Sequence, residues 1–145
     1  MKILLFRHGK PEDGDDPRLS DEGKRQVMSV AMKAKLKGAE PSLIISSPLR
    51  RATETAIIAR KVAWRRAEIS ISQLVGPDAS AEDVTTASKQ NGKVECVMIV
   101  THLPVMLEVL KANKLRIASK PPYAGMLCTD LREEGNSLLW TLTPD

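Results

Sequence analysis

The chain has 145 residues, a length that fits one domain built around one core. Its hydrophobic fraction of 42% excludes a largely disordered chain, and its aromatic fraction of 3% argues against a base-stacking surface for single-stranded nucleic acid. The net charge of +4 suits acidic or phosphorylated partners without selecting among them.

The apolar run of residues 3–6 predicts a buried strand at the start of the chain. The run stops at Arg7, too early for a secretory signal peptide, and no stretch approaches the ~18 apolar residues of a membrane span. We therefore expect a cytoplasmic protein that does not contact membranes. Arg7, His8, Gly9 and Lys10 follow the strand at its carboxyl end, where open α/β sheets bind ligands. A cation, an imidazole and a glycine together are typical of an anion site that contains a nucleophile. Taken alone, however, Arg7 and His8 fit equally well as surface residues at the end of a strand.

Residues 11–17 contain proline, glycine and four acids, which predict a loop. The acids form either a solvated turn or a rim of the pocket that favours a basic partner surface. Ser20 is the expected N-cap of the next helix, whose acidic first turn and lysine-rich last turn suit the helix dipole. Gly38 can end this helix in the left-handed conformation.

A second buried strand is predicted at residues 43–45. Ser47 as N-cap and Pro48 at the first helical position then predict the start of a second helix. Arg51 would lie on its first turn, again just past the carboxyl end of a strand. A cluster of basic side chains surrounds Trp64 near the end of this helix, and we interpret it as a solvated helix end rather than a nucleic-acid site.

Residues 69–71 alternate apolar and polar side chains, as in a half-exposed or edge strand. A loop containing Asp78 follows, and the run from Ser80 to Asp83 matches a capping box for a short helix that ends near Gln90.

Residues 96–100 are apolar throughout and predict a strand covered on both faces. Thr101 and His102 come after its carboxyl end, and Pro104 opens the next helix. Beyond a loop over 113–124, two strands at 126–131 and 138–142 predict an antiparallel hairpin.

Two cysteines, Cys96 and Cys128, lie in these apolar, strand-like segments, and we expect them to be reduced core thiols.

Strands and helices alternate as far as residue 112, which predicts an α/β fold: a single domain over 1–145 with a mostly parallel sheet, helices on both faces and a C-terminal β-hairpin. Right-handed crossovers bring the carboxyl ends of the parallel strands to one edge. Four side chains from three strand ends should meet there: Arg7, His8, Arg51 and His102. These include both histidines of the chain.

The chemistry of this group fits a phosphoryl ligand. Guanidinium groups match pairs of phosphate oxygens, and a neutral imidazole is a competent nucleophile. Arg7 and Arg51 would help to keep His8 unprotonated and would stabilise the transferring group. Gly9 would let the backbone approach the ligand closely.

Three other classes of site fit less well. A metal site would need carboxylates or thiolates beside the histidines at ligand spacing. A serine hydrolase would need a Gly-x-Ser-x-Gly elbow, and an ATP site of the Walker type would need its glycine-rich loop. The sequence contains neither motif.

Three motifs together resemble the histidine phosphatase superfamily, whose fold is that of the phosphoglycerate mutases. They are Arg7-His8-Gly9, the segment 46–56 with Arg51 directly before Ala52, and the segment 100–104 around His102. The segment 18–23, the short length and the closing hairpin are most similar to the small SixA-type phosphohistidine phosphatases.

The resemblance implies that His8 forms a covalent phosphohistidine, that Arg7, Arg51 and His102 bind the phosphoryl oxygens, and that water releases phosphate. It implies no metal or organic cofactor. The substrate would be a phosphorylated small molecule or a phosphoprotein, with inorganic phosphate as product and with no nucleic acid or membrane as partner.

The sequence departs from the family pattern at Lys10, where an acid or glutamine is common, and at Leu103, where a small or polar residue is common. Both positions bear on substrate choice.

Most members protonate the leaving group from the loop after the third strand, and we expect Asp78 to have that role because Glu82 and Asp83 serve the helix start. Without such an acid, the chain could be a catalytically weak phosphate-binding module. A third alternative is a phosphomutase. A mutase needs a larger pocket in which to retain and reorient an intermediate, and the short chain leaves little material for one.

Overall fold

Six strands and four α-helices make up the computed structural model, which describes all 145 residues. The strands are β1 (Lys2–Arg7), β2 (Leu43–Ser46), β3 (Glu68–Ile71), β4 (Cys96–Thr101), β5 (Met126–Arg132) and β6 (Gly135–Leu142). The helices are α1 (Asp21–Leu36), α2 (Arg50–Val62), α3 (Ala81–Lys89) and α4 (Leu103–Ala112), with a short 3-10 helix at Gln73–Val75. No helix combines the length and the apolar character that crossing a bilayer requires.

All six strands form one sheet in the order β3-β2-β4-β1-β5-β6. The first four strands along the chain are parallel to one another, whereas β5 and β6 are antiparallel to their neighbours and form the closing hairpin. The predicted α/β fold with a mostly parallel sheet and a C-terminal hairpin is confirmed, although β6 begins at Gly135 rather than at Leu138. The prediction that the third strand is half-exposed or at an edge is also confirmed, because β3 is the first strand of the sheet and no residue in it is fully buried.

Two apolar clusters lie on opposite faces of the sheet, because successive side chains of a strand point to opposite sides. Leu4 and Phe6 of β1 pack with α1 and α2, whereas Ile3 and Leu5 pack with α3 and α4. Burying one such side chain contributes about 1.5–3 kcal/mol. The sheet is therefore held rigidly from both sides, and so are the strand ends at its edge.

The strand register aligns the carboxyl ends that carry the predicted site. Arg7 at the end of β1 lies opposite Thr101 at the end of β4, and Ser46 at the end of β2 lies opposite Val100. His8, Ser47 and His102 are the next residues in each case. Three separate segments of the chain thus leave the sheet side by side.

Both cysteines flank β1, with Cys96 opposite Lys2 on one side and Cys128 opposite Leu4 on the other. A whole strand therefore separates them, which places their Cα atoms roughly 10 Å apart or more and beyond the reach of a disulfide. Both thiols are free.

Helix starts follow the sequence prediction in two cases and depart from it in one. Ser20 accepts a hydrogen bond from the backbone N–H of Gly23, and Ser80 forms the predicted capping box with Asp83. The predicted cap at Ser47 with Pro48 at the first helical position is wrong, because α2 begins only at Arg50 and its N-cap Leu49 offers no side-chain acceptor.

A distant carboxylate takes the place of that cap. Asp16 Oδ1, in the acidic loop, accepts the hydrogen bond of the Arg50 backbone N–H at 2.9 Å. The start of α2 is thus fixed by a tertiary contact, and the Ser47 side chain is left for another role.

The basic cluster near the end of α2 has no exposed aromatic ring. Trp64 is only 4% exposed, and its indole N–H donates to the carbonyl of Ala39 at 2.7 Å. The ring is a core residue and is not available for stacking on a base.

Candidate active site

His8 lies directly after β1 and is 5% exposed. Its Nδ1 is 2.8 Å from the carbonyl oxygen of Gly9. A carbonyl can only accept, so Nδ1 carries the proton and Nε2 carries the lone pair. The Nε–H of Arg51 donates to that lone pair at 3.3 Å. The ring is therefore held in one tautomer, with its unprotonated nitrogen facing a guanidinium group.

Arg51 belongs to the first turn of α2, and Thr55 one turn later ties that turn to the end of β1. The Thr55 hydroxyl donates to the carbonyl of Arg51 at 2.8 Å and accepts from the backbone N–H of Gly9 at 3.1 Å. One buried side chain therefore sets the distance between the two segments that carry His8 and Arg51.

Arg7 is held by the segment just before β5. Its Nη1 donates to the carbonyl of Pro121 at 3.0 Å, and its guanidinium carbon lies 4.2 Å from the centre of the Tyr123 ring, a cation–π distance. Its Nε–H is buried and has no acceptor within the chain. Burial lowers the pKa of Arg7, but a guanidinium remains charged in a protein.

His102 is the N-cap residue of α4 and is 4% exposed. Its Nε2 lies 2.8 Å from Ser47 Oγ, and its ring centre lies 5.3 Å from that of His8. The two imidazoles and the two guanidinium groups thus meet at one edge of the sheet.

Both histidines are neutral at physiological pH. Burial lowers the pKa of His8 to about 4, and the charges of Arg51 and Arg7 add to this effect against the opposing hydrogen bond to Gly9. Burial also lowers the pKa of His102 to about 3, helped by His8 and the same two arginines. Neutral His8 keeps the lone pair that a nucleophile requires.

A pocket of about 520 Å³ opens at this edge, within the size range of ligand sites. His8, the predicted nucleophile, lines it together with Arg7, Arg51 and His102, which were predicted to bind the phosphoryl oxygens. The remaining lining comes from three loops and the start of α4: Pro11, Glu12, Asp13, Gly14 and Pro17 of the acidic loop, Pro77, Tyr123, and Leu103 with Pro104 of α4.

A larger cavity of about 580 Å³ lies near the amino ends of β1 and β4, at the end of the sheet opposite to the histidines, and neither histidine lines it.

Three of the predicted site residues do not line the pocket. Asp78 is exposed in the turn after the 3-10 helix, where only its neighbour Pro77 reaches the pocket. Lys10 extends into solvent and pairs with Glu22 at 3.1 Å. Gly9 is buried beneath α1, and a Cβ at its position would lie 2.7 Å from the carbonyl oxygen of Gly23. Its small size therefore serves helix packing.

Sequence reasoning missed Tyr123, and it left open whether the acidic loop is a solvated turn or a rim of the pocket. Tyr123 is the only tyrosine of the chain and follows two prolines in a segment predicted simply as loop. Only the antiparallel placement of β5 beside β1 brings it to Arg7. Glu12 and Asp13 supply the acidic groups of the pocket lining. Arg18 holds Glu12 at 2.9 Å, and this hydrogen bond lowers the pKa of the Glu12 carboxyl.

The arrangement can bind a tetrahedral anion and present a nucleophilic nitrogen to it. No group of three or more His, Cys, Asp or Glu side chains is placed to hold a metal ion.

Comparisons with known proteins agree with this geometry. The family model described as histidine phosphatase superfamily (branch 1) matches residues 3–72, which include the Arg7-His8-Gly9 and Arg51 motifs. No curated protein matches the sequence. The predicted resemblance to this superfamily is confirmed.

Solved structures share the fold along the whole chain. The protein histidine phosphatase SixA, solved with tungstate, has a TM-score of 0.83 at 20% identity and covers 99% of this chain and 97% of its own. A protein assigned as the phosphohistidine phosphatase SixA of Agrobacterium tumefaciens has a TM-score of 0.86 at 24% identity, with the same coverage. A histidine-to-alanine variant of the phosphoserine phosphatase of Entamoeba histolytica, solved with phosphoserine, has a TM-score of 0.72 at 15% identity and covers 97% of this chain and 95% of its own. Similarity at these identities establishes the fold.

Proposed function

We propose that this chain, which carries the sequence pattern of the histidine phosphatases, hydrolyses a phosphoryl group through a covalent phosphohistidine on His8. One observation carries the proposal: the unprotonated Nε2 of His8 faces Arg51 Nε at 3.3 Å, in a pocket that Arg7 and His102 also line. A nucleophile and charged donors for its target therefore lie in the same pocket.

In the first step the Nε2 lone pair attacks phosphorus, and a bond from phosphorus to the leaving oxygen or nitrogen breaks with its electron pair. The leaving atom takes up a proton. In the second step water attacks the phosphohistidine, inorganic phosphate departs, and His8 is restored. Arg7, Arg51 and His102 bind the phosphoryl oxygens in both steps, which spreads the charge of the transition state.

Phosphohistidine in proteins and small phosphorylated compounds are the substrate classes that we propose. The relatives in structure include enzymes described as acting on phosphohistidine and one bound to phosphoserine. The pocket is open to solvent and bordered by Glu12 and Asp13, so a protein segment with basic side chains beside the phosphoryl group would fit it.

Trapping of the phosphoenzyme tests the proposal. The protein is mixed with a radiolabelled phosphohistidine protein, an aryl phosphate and a panel of sugar phosphates, and it is then denatured in base. We expect an acid-labile, base-stable label and released phosphate with wild type, and neither with His8→Ala. Met28→Ala, on the exposed face of α1, is the matched control and should behave as wild type.

Three outcomes would contradict the proposal. No turnover of any phosphorylated compound would overturn it. Phosphate binding that survives His8→Ala, with no labelled wild-type protein, would favour a phosphate-binding module. Transfer of the label to a second hydroxyl of the substrate rather than to water would favour a phosphomutase.

A further inference from the structure

Ser47 is fully buried between β2 and α2, and its position is fixed from several sides. Its backbone N–H donates to the carbonyl of Val100 at 2.9 Å, and its own carbonyl accepts from the Ser46 hydroxyl at 2.8 Å. Its side-chain Oγ accepts from the backbone N–H of Leu49 at 3.3 Å and lies 2.8 Å from His102 Nε2. The hydroxyl therefore has two neighbours, and only one of them can accept a hydrogen bond.

Counting hydrogens decides which atom donates between Ser47 and His102. A hydroxyl has one hydrogen to donate, and a neutral imidazole has one N–H. If His102 Nε2–H donated to Ser47, the buried hydroxyl hydrogen would have no acceptor, because its other neighbour, the Leu49 N–H, is itself a donor. An unsatisfied buried polar group costs about 1–3 kcal/mol. The opposite arrangement, with Ser47 O–H donating to the lone pair of Nε2, satisfies both groups.

That arrangement places the single imidazole proton of His102 on Nδ1. Nδ1 forms no hydrogen bond within the chain, and Arg7 Nε is the only buried side-chain nitrogen or oxygen that lacks a hydrogen-bond partner, so Nδ1 is not buried. His102 lines the pocket together with His8 and Arg51. Nδ1 is therefore the ring nitrogen of His102 that is open to the pocket.

We propose that Ser47 is a positioning residue that fixes His102 as the Nδ1–H tautomer, so that His102 offers a donor rather than a lone pair to the anion in the pocket. With the other tautomer, the Nδ1 lone pair would oppose the lone pairs of a phosphoryl oxygen, and a binding contact would become a repulsive one. That the anion is a phosphoryl group rests on the proposed function, whereas the assignment of the His102 tautomer rests only on the hydrogen bonds of Ser47.

Two-bond proton–nitrogen NMR correlation of the uniformly labelled protein reads the tautomer directly. The chain has only two histidines, so the spectrum contains two imidazoles, and His8→Gln leaves His102 alone for assignment. We expect His102 of wild type to be the Nδ1–H tautomer at neutral pH. Ser47→Ala should convert it largely to the Nε2–H tautomer without changing His8.

Ser46→Ala is the matched control, because this adjacent buried hydroxyl bonds the Ser47 carbonyl and not His102. It should leave both tautomers unchanged. Titration with inorganic phosphate supplies a second measurement, in which Ser47→Ala weakens binding about 10-fold and Ser46→Ala does not.

The inference is overturned if His102 of wild type is the Nε2–H tautomer, if Ser47→Ala leaves its tautomer unchanged, or if Ser46→Ala changes it as much. It is also overturned if phosphate affinity is unaffected when the tautomer changes. A protein with the expected tautomers and phosphate affinities that hydrolyses no phosphorylated compound would refute the proposed function and leave this inference standing.

Discussion

At the scale of single residues, the side chains that line the pocket are distinct from the side chains that hold them in place. Arg7, Arg51 and His102 line the pocket with His8, and the sequence predicted all four because each follows a strand end in the same topology. The roles of Tyr123 and of the Ser47 hydroxyl could not be predicted from the sequence. Tyr123 contacts Arg7, 116 positions away, and Ser47 contacts His102, 55 positions away, and only the folded chain brings these pairs together.

The source of the leaving-group proton is a residue-scale prediction. Asp13 lines the pocket and Asp78 does not, while Glu12 is held as a carboxylate by Arg18. We expect Asp13→Asn to lower kcat on alkyl phosphates about 100-fold or more, the smaller end of what a general acid contributes, and to spare an aryl phosphate whose leaving group needs no proton.

Asp78→Asn is the comparison for this experiment, assayed for kcat on the same two substrates. It should stay near the wild-type rate on both. Loss of alkyl phosphate turnover in Asp78→Asn, with Asp13→Asn unaffected, would return the role to the residue that the family pattern suggests.

At the scale of elements, the start of α1 packs against the turn that follows β1. A Cβ on Gly23 would lie 2.2 Å from the carbonyl oxygen of Lys10, a backbone atom that cannot move without its neighbours. The helical periodicity predicted α1 well, but periodicity does not report contacts between backbones, so neither this contact nor the one at Gly9 was predicted.

Gly23→Ala should therefore destabilise the protein although alanine is the better helix former. The gain in helix propensity is at most about 1 kcal/mol, and the added methyl group costs about 1–3 kcal/mol in overpacking. Urea unfolding should show a net loss of about 1–2 kcal/mol, together with a lower kcat because His8 lies two residues before Lys10. Lys24→Ala, one residue later and exposed, should show neither effect; a Gly23→Ala protein as stable and active as wild type would refute the packing argument.

The cap of α2 by Asp16 gives a second prediction at this scale. Asp16→Ala should lower the free energy of unfolding by about 1 kcal/mol, the usual cost of losing a cap. It should also raise KM for the aryl phosphate, since Arg51 follows the capped residue Arg50. Asp16→Asn retains an oxygen acceptor and tolerates the positive φ of 43° at this position, so it should be close to wild type. Equal stability of the two variants would show that the cap contributes nothing.

At the scale of the whole molecule, burying two neutral imidazoles couples folding to pH. The folded pKa values of about 4 and about 3 lie below the ordinary value of 6.5, so between these limits the unfolded chain binds more protons than the folded one. Stability is therefore fully present above about pH 6.5 and is lost as the pH falls toward 4. Protonation of His8 alone should lower the free energy of unfolding by about 1–2 kcal/mol between pH 6.5 and pH 5.

Unfolding in urea at a series of pH values checks this expectation. His8→Gln should roughly halve the slope of stability against pH in this window, because the glutamine does not titrate whereas His102 still does. Lys24→Ala should retain the wild-type slope. A slope that is the same with and without His8 would mean that the buried imidazole is not held neutral by the fold.

The support of Arg7 by Pro121 and Tyr123 has a consequence for protein synthesis. The last quarter of the polypeptide completes a pocket whose first histidine, His8, leaves the ribosome almost first. A nascent chain stalled before position 121 should have no affinity for vanadate, and a protease nick in the exposed stretch around Ser119 and Lys120 should abolish that affinity if the fragments part. Anion affinity therefore reports on completed folding as well as on chemistry.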